Sequence, residues 1–423
     1  MKQRWATVCG AAALVGVGAA SLVPLLSLAS GCGSSGPSGE AGQLPVVSDA
    51  AAAPDVRTLG MNDVTILVPL PADVASPVLL RGSDLAADGT PFVPRPLFDR
   101  LVEVPPPGGP PPKPGAMPLV PPDEHDRLQL VAVRVDLCDR TKPGECPLDT
   151  DGRLRLVFQP LTNDSGAHDV GLHAFYEIPK GDLGTVITRV RELAAIQAEP
   201  ITSPLRVSPG LTGPRAGDFT TKLRALVADY GGANRLTRLT LNAQPIFFSA
   251  IRWAMRGLER RDGAFVAMTI GGGAPETTQD ITLFGTASYT ATPATDTPVG
   301  LFGALSSTTF ESTTADRQRA YLEVLAAVDN PLVHGPDTVS CIACHASTVA
   351  TTARAKTAGV DATTVRGRYT SSVDTSIAAG KSPTTERTVR ALGWLGRDAM
   401  ISQRVANDTA QVLREIEQRF PPQ

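Results

Sequence analysis

Short runs rich in apolar residues recur between residues 63 and 178 and predict a β-rich region. Val64 to Leu70, Val78 to Leu85, Leu128 to Leu137, Leu154 to Leu161 and Gly171 to Ile178 are such runs. In Leu128-Gln129-Leu130-Val131-Ala132-Val133-Arg134-Val135 the period is close to two, as a half-buried strand requires. Further on the period lengthens. Leu183 to Gln197 and Phe219 to Tyr230 have helical spacing, and Gly231-Gly232 ends the second helix. Ala264 to Ile270 and Asp280 to Phe284 return to a strand pattern. Phe247 to Leu258 is ambiguous, because Phe247, Ala250, Ile251, Ala254, Met255 and Leu258 fit one helix face. Tyr321, Leu322, Leu325 and Val328 form a helical stripe that stops before Asn330-Pro331. Val405, Val412, Leu413, Ile416 and Phe420 form a terminal one.

The pattern predicts an α+β chain. The expected order is an export signal over 1–31, a flexible tether over 32–58, and a β-rich domain over 59–180. A mixed α/β region over 181–311 and a mainly helical domain over 312–423 complete it. From Val104 to Pro122 the chain is largely proline and glycine and reads as a stiff surface loop.

The first residues set the compartment. Lys2 and Arg4 precede an uncharged apolar stretch from Trp5 to Leu28, the pattern of a secretory signal. Leu28-Ala29-Ser30-Gly31-Cys32 resembles the lipobox of bacterial lipoproteins. That resemblance implies a lipidated Cys32 and a membrane anchor, with the protein at the outer membrane or the periplasmic face. Acyl chains in sufficient number make such anchoring stable. The formal net charge is −3, which gives no reason to expect a nucleic-acid partner.

The chain has six cysteines. Cys9 leaves with the signal and Cys32 is assigned to lipid. Cys138 and Cys146 bracket a polar Pro-Gly loop and fit a disulfide in an oxidising compartment. Cys341-Ile342-Ala343-Cys344-His345 spells C-x-x-C-H, the attachment site of a c-type haem. Two thiols at this spacing reach the two vinyl groups of one porphyrin edge, and the adjacent imidazole binds the iron. A zinc site wants a second pair of ligands, and no further cysteine follows.

The stretch from Ser312 onward therefore resembles a single-haem c-type cytochrome domain. It does so through Cys341, Cys344 and His345 and the helices on either side. The resemblance implies one covalent haem c, with His345 as proximal iron ligand. Met400, just before the terminal helix, matches the family's axial methionine in position, and His334 in the preceding Pro/Gly loop competes with it.

Other candidates are weaker. His168 and His173, with Asp169 and Glu177, could hold a metal, but the alternation of His173 with Leu172, Ala174 and Tyr176 makes it read as a strand residue. Asp149-Thr150-Asp151-Gly152 reads as a hairpin turn, and Gly271-Gly272-Gly273 lacks the Lys-Ser/Thr of a phosphate loop. The expected task is electron transfer in the cell envelope with a redox partner protein, as a carrier rather than an enzyme. The alternative is a non-haem binding or scaffold lipoprotein with a local Cys341–Cys344 disulfide. An enzyme whose N-terminal part acts on a substrate is a third reading, and no catalytic constellation supports it.

Overall fold

Strand alternation builds one large antiparallel sheet. The computed structural model describes residues 58–103, 118–139, 143–144, 146–164, 166–198, 200, 202–244, 251–269, 278–284, 288–292, 299–335, 338–377 and 391–422. The export signal, Cys32, nearly all of the tether, residues 104–117 and Gly271–Gly273 lie outside these. A single helical turn, α1 (Met61–Val64), leads into β1 (Thr65–Leu67) and is followed by α2 (Arg95–Glu103). Then come β2 (Leu128–Asp136), β3 (Gly152–Pro160) and β4 (Val170–Ile178). Two helices, α3 (Leu183–Gln197) and α4 (Ala216–Tyr230), precede β5 (Leu236–Ala243), β6 (Ile251–Arg261), β7 (Ala264–Ala267), β8 (Thr278–Phe284) and β9 (Ser288–Thr292). The order in the sheet is β1-β2-β3-β4-β5-β6-β8-β9, with β7 paired to β6, and each pairing is antiparallel.

Side chains alternate between sheet faces, and residues directly opposite share a face. On one face the register aligns Val133 with Leu156, Leu156 with Ala174, Ala174 with Leu239, and Leu239 with Leu258. All five are buried in one core, together with Val186, Val190 and Leu193 of α3 and Phe219, Leu223 and Val227 of α4. Burial of such side chains stabilises by roughly 1.5–3 kcal/mol each before chain entropy is counted.

The C-terminal part is helical with one small hairpin. It comprises α5 (Leu301–Leu305), α6 (Ser307–Glu311), α7 (Ala315–Val328), α8 (Cys341–Ala358), β10 (Leu392–Leu395), β11 (Asp398–Ile401) and α9 (Gln403–Arg419). A second core joins Leu322 and Leu325 of α7 to Ile342, Ala346 and Val349 of α8, and to Trp253 and Met255 of β6. By contrast, Val405, Ala410 and Leu413 of α9 belong to the first core. The Thr65 and Thr409 hydroxyls share a 2.8 Å hydrogen bond, which ties β1 to α9.

The chain is α+β, but the expected breaks do not coincide with breaks in packing. Residues 52–423 form one unit, and the sheet runs across the expected 180/181 boundary. Residues 312–423 do not stand apart, because the terminal helix completes the main core. Val78 to Leu85 is not a strand and contributes only isolated bridges, Arg81 with Gln129 and Leu85 with Pro91. The helical spacing of Phe247 to Leu258 is overruled from Ile251 onward. There β6 pairs with β5 and β8, and both of its faces are buried: Trp253 and Met255 join one core and Leu258 the other. No helix among the described residues is long and apolar enough to cross a membrane.

Candidate functional site

The C-x-x-C-H motif opens α8. Ser340 caps the helix by accepting a 3.1 Å hydrogen bond from the Ala343 amide, which fixes Cys341 as its first residue. Residues three and four apart then share a face, so Cys341, Cys344 and His345 stand together on the first turn. Ile342, Ala343 and Ala346 point into the second core and set the helix's rotation. Ser347 Oγ, one turn on, donates a 2.6 Å hydrogen bond to the buried Asp329 carboxylate at the end of α7.

All three motif residues line a cavity of about 480 Å³. That lies within the range of cofactor sites. The opposite wall is the second face of the sheet. Strand alternation places Arg134 and Asp136 of β2, Arg153 and Arg155 of β3, His173 and Phe175 of β4, Arg238 and Thr240 of β5, and Glu259 and Arg261 of β6 on it. Helix α9 adds Arg404, Val405 and Asp408. Six arginines thus meet four carboxylates, those of Asp136, Asp139, Glu259 and Asp408, a surplus of two positive charges.

The charges are held by contacts with one another. Arg134 Nη2 and Nε reach Asp136 at 2.7 Å, and Arg404 Nε donates to Asp408 at 3.0 Å. Arg153 pairs with Asp139, and Arg155 stacks over Phe175 with its guanidinium carbon 4.8 Å from the ring centre. Burial lowers the Arg153 pKa to about 10, against the pull of Asp139, and lowers that of Arg155 as well. Arg155 Nε is buried without a hydrogen-bond partner. A wall with surplus cations and an unsatisfied donor suits an anionic ligand.

The second imidazole was the least expected feature. The His173 ring centre lies 6.4 Å from that of His345, with the ring planes at 70°. His173 is a strand residue, as its alternation predicts, but it faces the motif. His168, expected beside it in any metal site, instead pairs with Glu124 at 3.0 Å. Neither Met400 nor His334 stands on this wall. Met400 lies opposite Gly393 in the β10–β11 hairpin, is fully buried, and is not among the residues that line the cavity. His334 also lies off its wall, with Nδ1 3.3 Å from the Thr338 hydroxyl. Among the described residues, the thioether on the wall is that of Met268.

The hairpin carrying Met400 is fastened from the sheet. Gln159 Oε1 accepts from the Trp394 amide at 2.6 Å, and Gln159 Nε2 donates to the Trp394 carbonyl at 2.9 Å. In known proteins no counterpart was found. No family model, no curated protein and no solved structure matches this chain.

Cys138 and Cys146 form the expected disulfide, with Cα atoms 5.6 Å apart. Glu415 carries a carboxylate oxygen close to both sulfurs, but bridged sulfurs offer no thiolate to a metal. Cys341 and Cys344 are unpaired thiols, half-buried on the cavity wall, so the local disulfide of the scaffold reading is not formed here. Burial, reinforced by Cys344, pushes the Cys341 thiol up to about 12, and burial raises Cys344 too.

The residues present fit a haem. The two motif thiols and the adjoining imidazole line one cavity with a second imidazole. The surplus of two positive charges balances two propionate carboxylates. Part of the sequence signal for this wall was present, as the alternate charged pairs Arg134/Asp136, Arg153/Arg155 and Glu259/Arg261. Its meaning needed the register that aligns Arg134 with Arg155 and Phe175 with Arg238.

Proposed function

We propose that this chain is an exported c-type cytochrome lipoprotein that holds one covalent haem and passes electrons within the cell envelope. One observation carries the reading. The two motif thiols and the motif imidazole face a single cavity whose far wall supplies arginines in excess.

Each Cys341 and Cys344 thiol would add S–H across one vinyl C=C, forming a thioether without an external oxidant. His345 would hold the iron from α8, and Arg134, Arg153, Arg155 and Arg404 would offer donors to the propionates. The bound haem supplies one-electron chemistry at the iron. The protein excludes bulk water, fixes the ligand set and sets the local field.

The test is a pyridine haemochrome spectrum and a haem stain after denaturing electrophoresis, on full-length protein from a haem-maturing host. Wild type should carry one haem per chain through denaturation, and Cys341→Ala with Cys344→Ala should lose it. An unstained wild-type band from a competent host removes the cytochrome reading.

A further inference from the structure

Resting on that reading, we infer that His173 of β4 is the second axial ligand, so the iron is held between a sheet imidazole and a helix imidazole. The separation is the first argument. Two metal–nitrogen bonds of about 2 Å, with imidazole ring radii of about 1.1 Å, place ring centres about 6.2 Å apart. The observed value is 6.4 Å.

Placement is the second. His173 lies opposite Val157 on one side and Thr240 on the other, inside the sheet rather than at its edge. A ligand there is held by strands on both sides. Two residues on, Phe175 lines the same cavity beneath the Arg155 guanidinium, so the imidazole stands beside the arginine wall.

The third argument is the alternatives. Met400 and His334 do not line the cavity, and Met268 does. Met268 lies just past the end of β7, with its side chain packed on Gly257, where an added Cβ would fall 2.8 Å from the Met268 methyl. Its sulfur packs on Gly257 of β6, whereas the His173 ring is the one that stands beside His345.

The chemistry differs from the resemblance. Thioether ligation raises a haem potential relative to two imidazoles, so a His173–His345 pair sets a lower one and closes both axial positions. The ring planes, far from parallel at 70°, should give the oxidised protein a strongly anisotropic low-spin resonance spectrum.

The experiment compares full-length wild type, His173→Ala, His173→Met, Met268→Leu and Met400→Leu, each first stained for covalent haem. Stained wild type should be low-spin without the weak red charge-transfer band of a thioether–iron bond. His173→Ala should turn high-spin and return to low-spin with added imidazole. His173→Met should gain the thioether band and a raised potential, which keeps the test open if the alanine variant folds poorly. Met268→Leu and Met400→Leu should retain the wild-type spectrum. A stained His173→Ala protein with unchanged ligation overturns this inference and leaves the cytochrome reading standing. A thioether band in wild type that either methionine variant abolishes does the same. An unstained wild type overturns both.

Discussion

Asp329 accepts a 2.6 Å hydrogen bond from Ser347, a link between the end of α7 and the first turns of α8. The carboxylate is buried, and Thr348 also donates to it. Burial raises its pKa to about 6, against the pull of the Ser347 hydrogen bond and of nearby Arg404 and Arg368. The folded state therefore holds this proton more tightly than the unfolded chain, whose value is 3.8. Stability from this group is complete below about pH 4 and falls as pH rises toward about 6, by roughly 3 kcal/mol in all. Asp329→Asn should flatten that slope in denaturant midpoints measured at pH 4.5 and pH 7. Parallel slopes in the two proteins would dismiss the assignment.

The arginine wall predicts a redox effect. A cation beside the iron favours the reduced state, because reduction removes one positive charge. Arg155→Gln should lower the reduction potential by tens of millivolts, where about 59 mV corresponds to about 1.4 kcal/mol for one electron. The shift should shrink little in salt, because Arg155 is largely shielded from bulk water. Spectroelectrochemical titration at two ionic strengths measures both. A potential that stays put or rises would mean Arg155 has no electrostatic access to the haem.

The Cys138–Cys146 bridge closes a short loop. On the chain-entropy model it contributes about 2.6 kcal/mol. Replacing both cysteines with serine should lower the urea midpoint accordingly while leaving haem staining intact. Arg419 reaches the Cys146 sulfur and the Leu137 carbonyl, so the loss should also loosen the end of α9. Loss of haem from the double variant would instead tie the bridge to the site.

Cys32 should carry lipid. Labelled palmitate should enter wild type and not Cys32→Ala, and the variant should partition into the soluble envelope fraction. Equal labelling of the two proteins would dismiss the lipobox reading.

Where one periodicity dominated, the sequence was enough. Leu183 to Gln197 is a helix over that span, and Leu128 to Leu137 is a strand to within one residue. Helix α8 gave no such signal beyond its motif. Its buried residues mix Ile342 and Val349 with Ala343, Ala346, Ser347, Thr348, Ala350, Thr351 and Arg354, so small and polar side chains blur the apolar stripe. Strand β6 misled because both faces are covered, which erases the two-residue period. The three motif residues were legible because they are near neighbours in sequence, so their grouping is a local pattern. His173 as their counterpart was not, since only the sheet's register and the docking of α8 bring the two imidazoles together.

The bond between Thr65 and Thr409 joins residues 344 positions apart. Helix α9, which makes it, also brings Arg404 and Asp408 to the cavity. The wall is therefore finished by a segment far along the chain from the strands it faces. The pocket is incomplete until that segment has docked, and such long-range closure is slow. Before then the thiols at 341 and 344 are open to any reagent. Afterwards they face inward. Chemistry at those two sulfurs that needs open access is therefore expected before the fold closes over them.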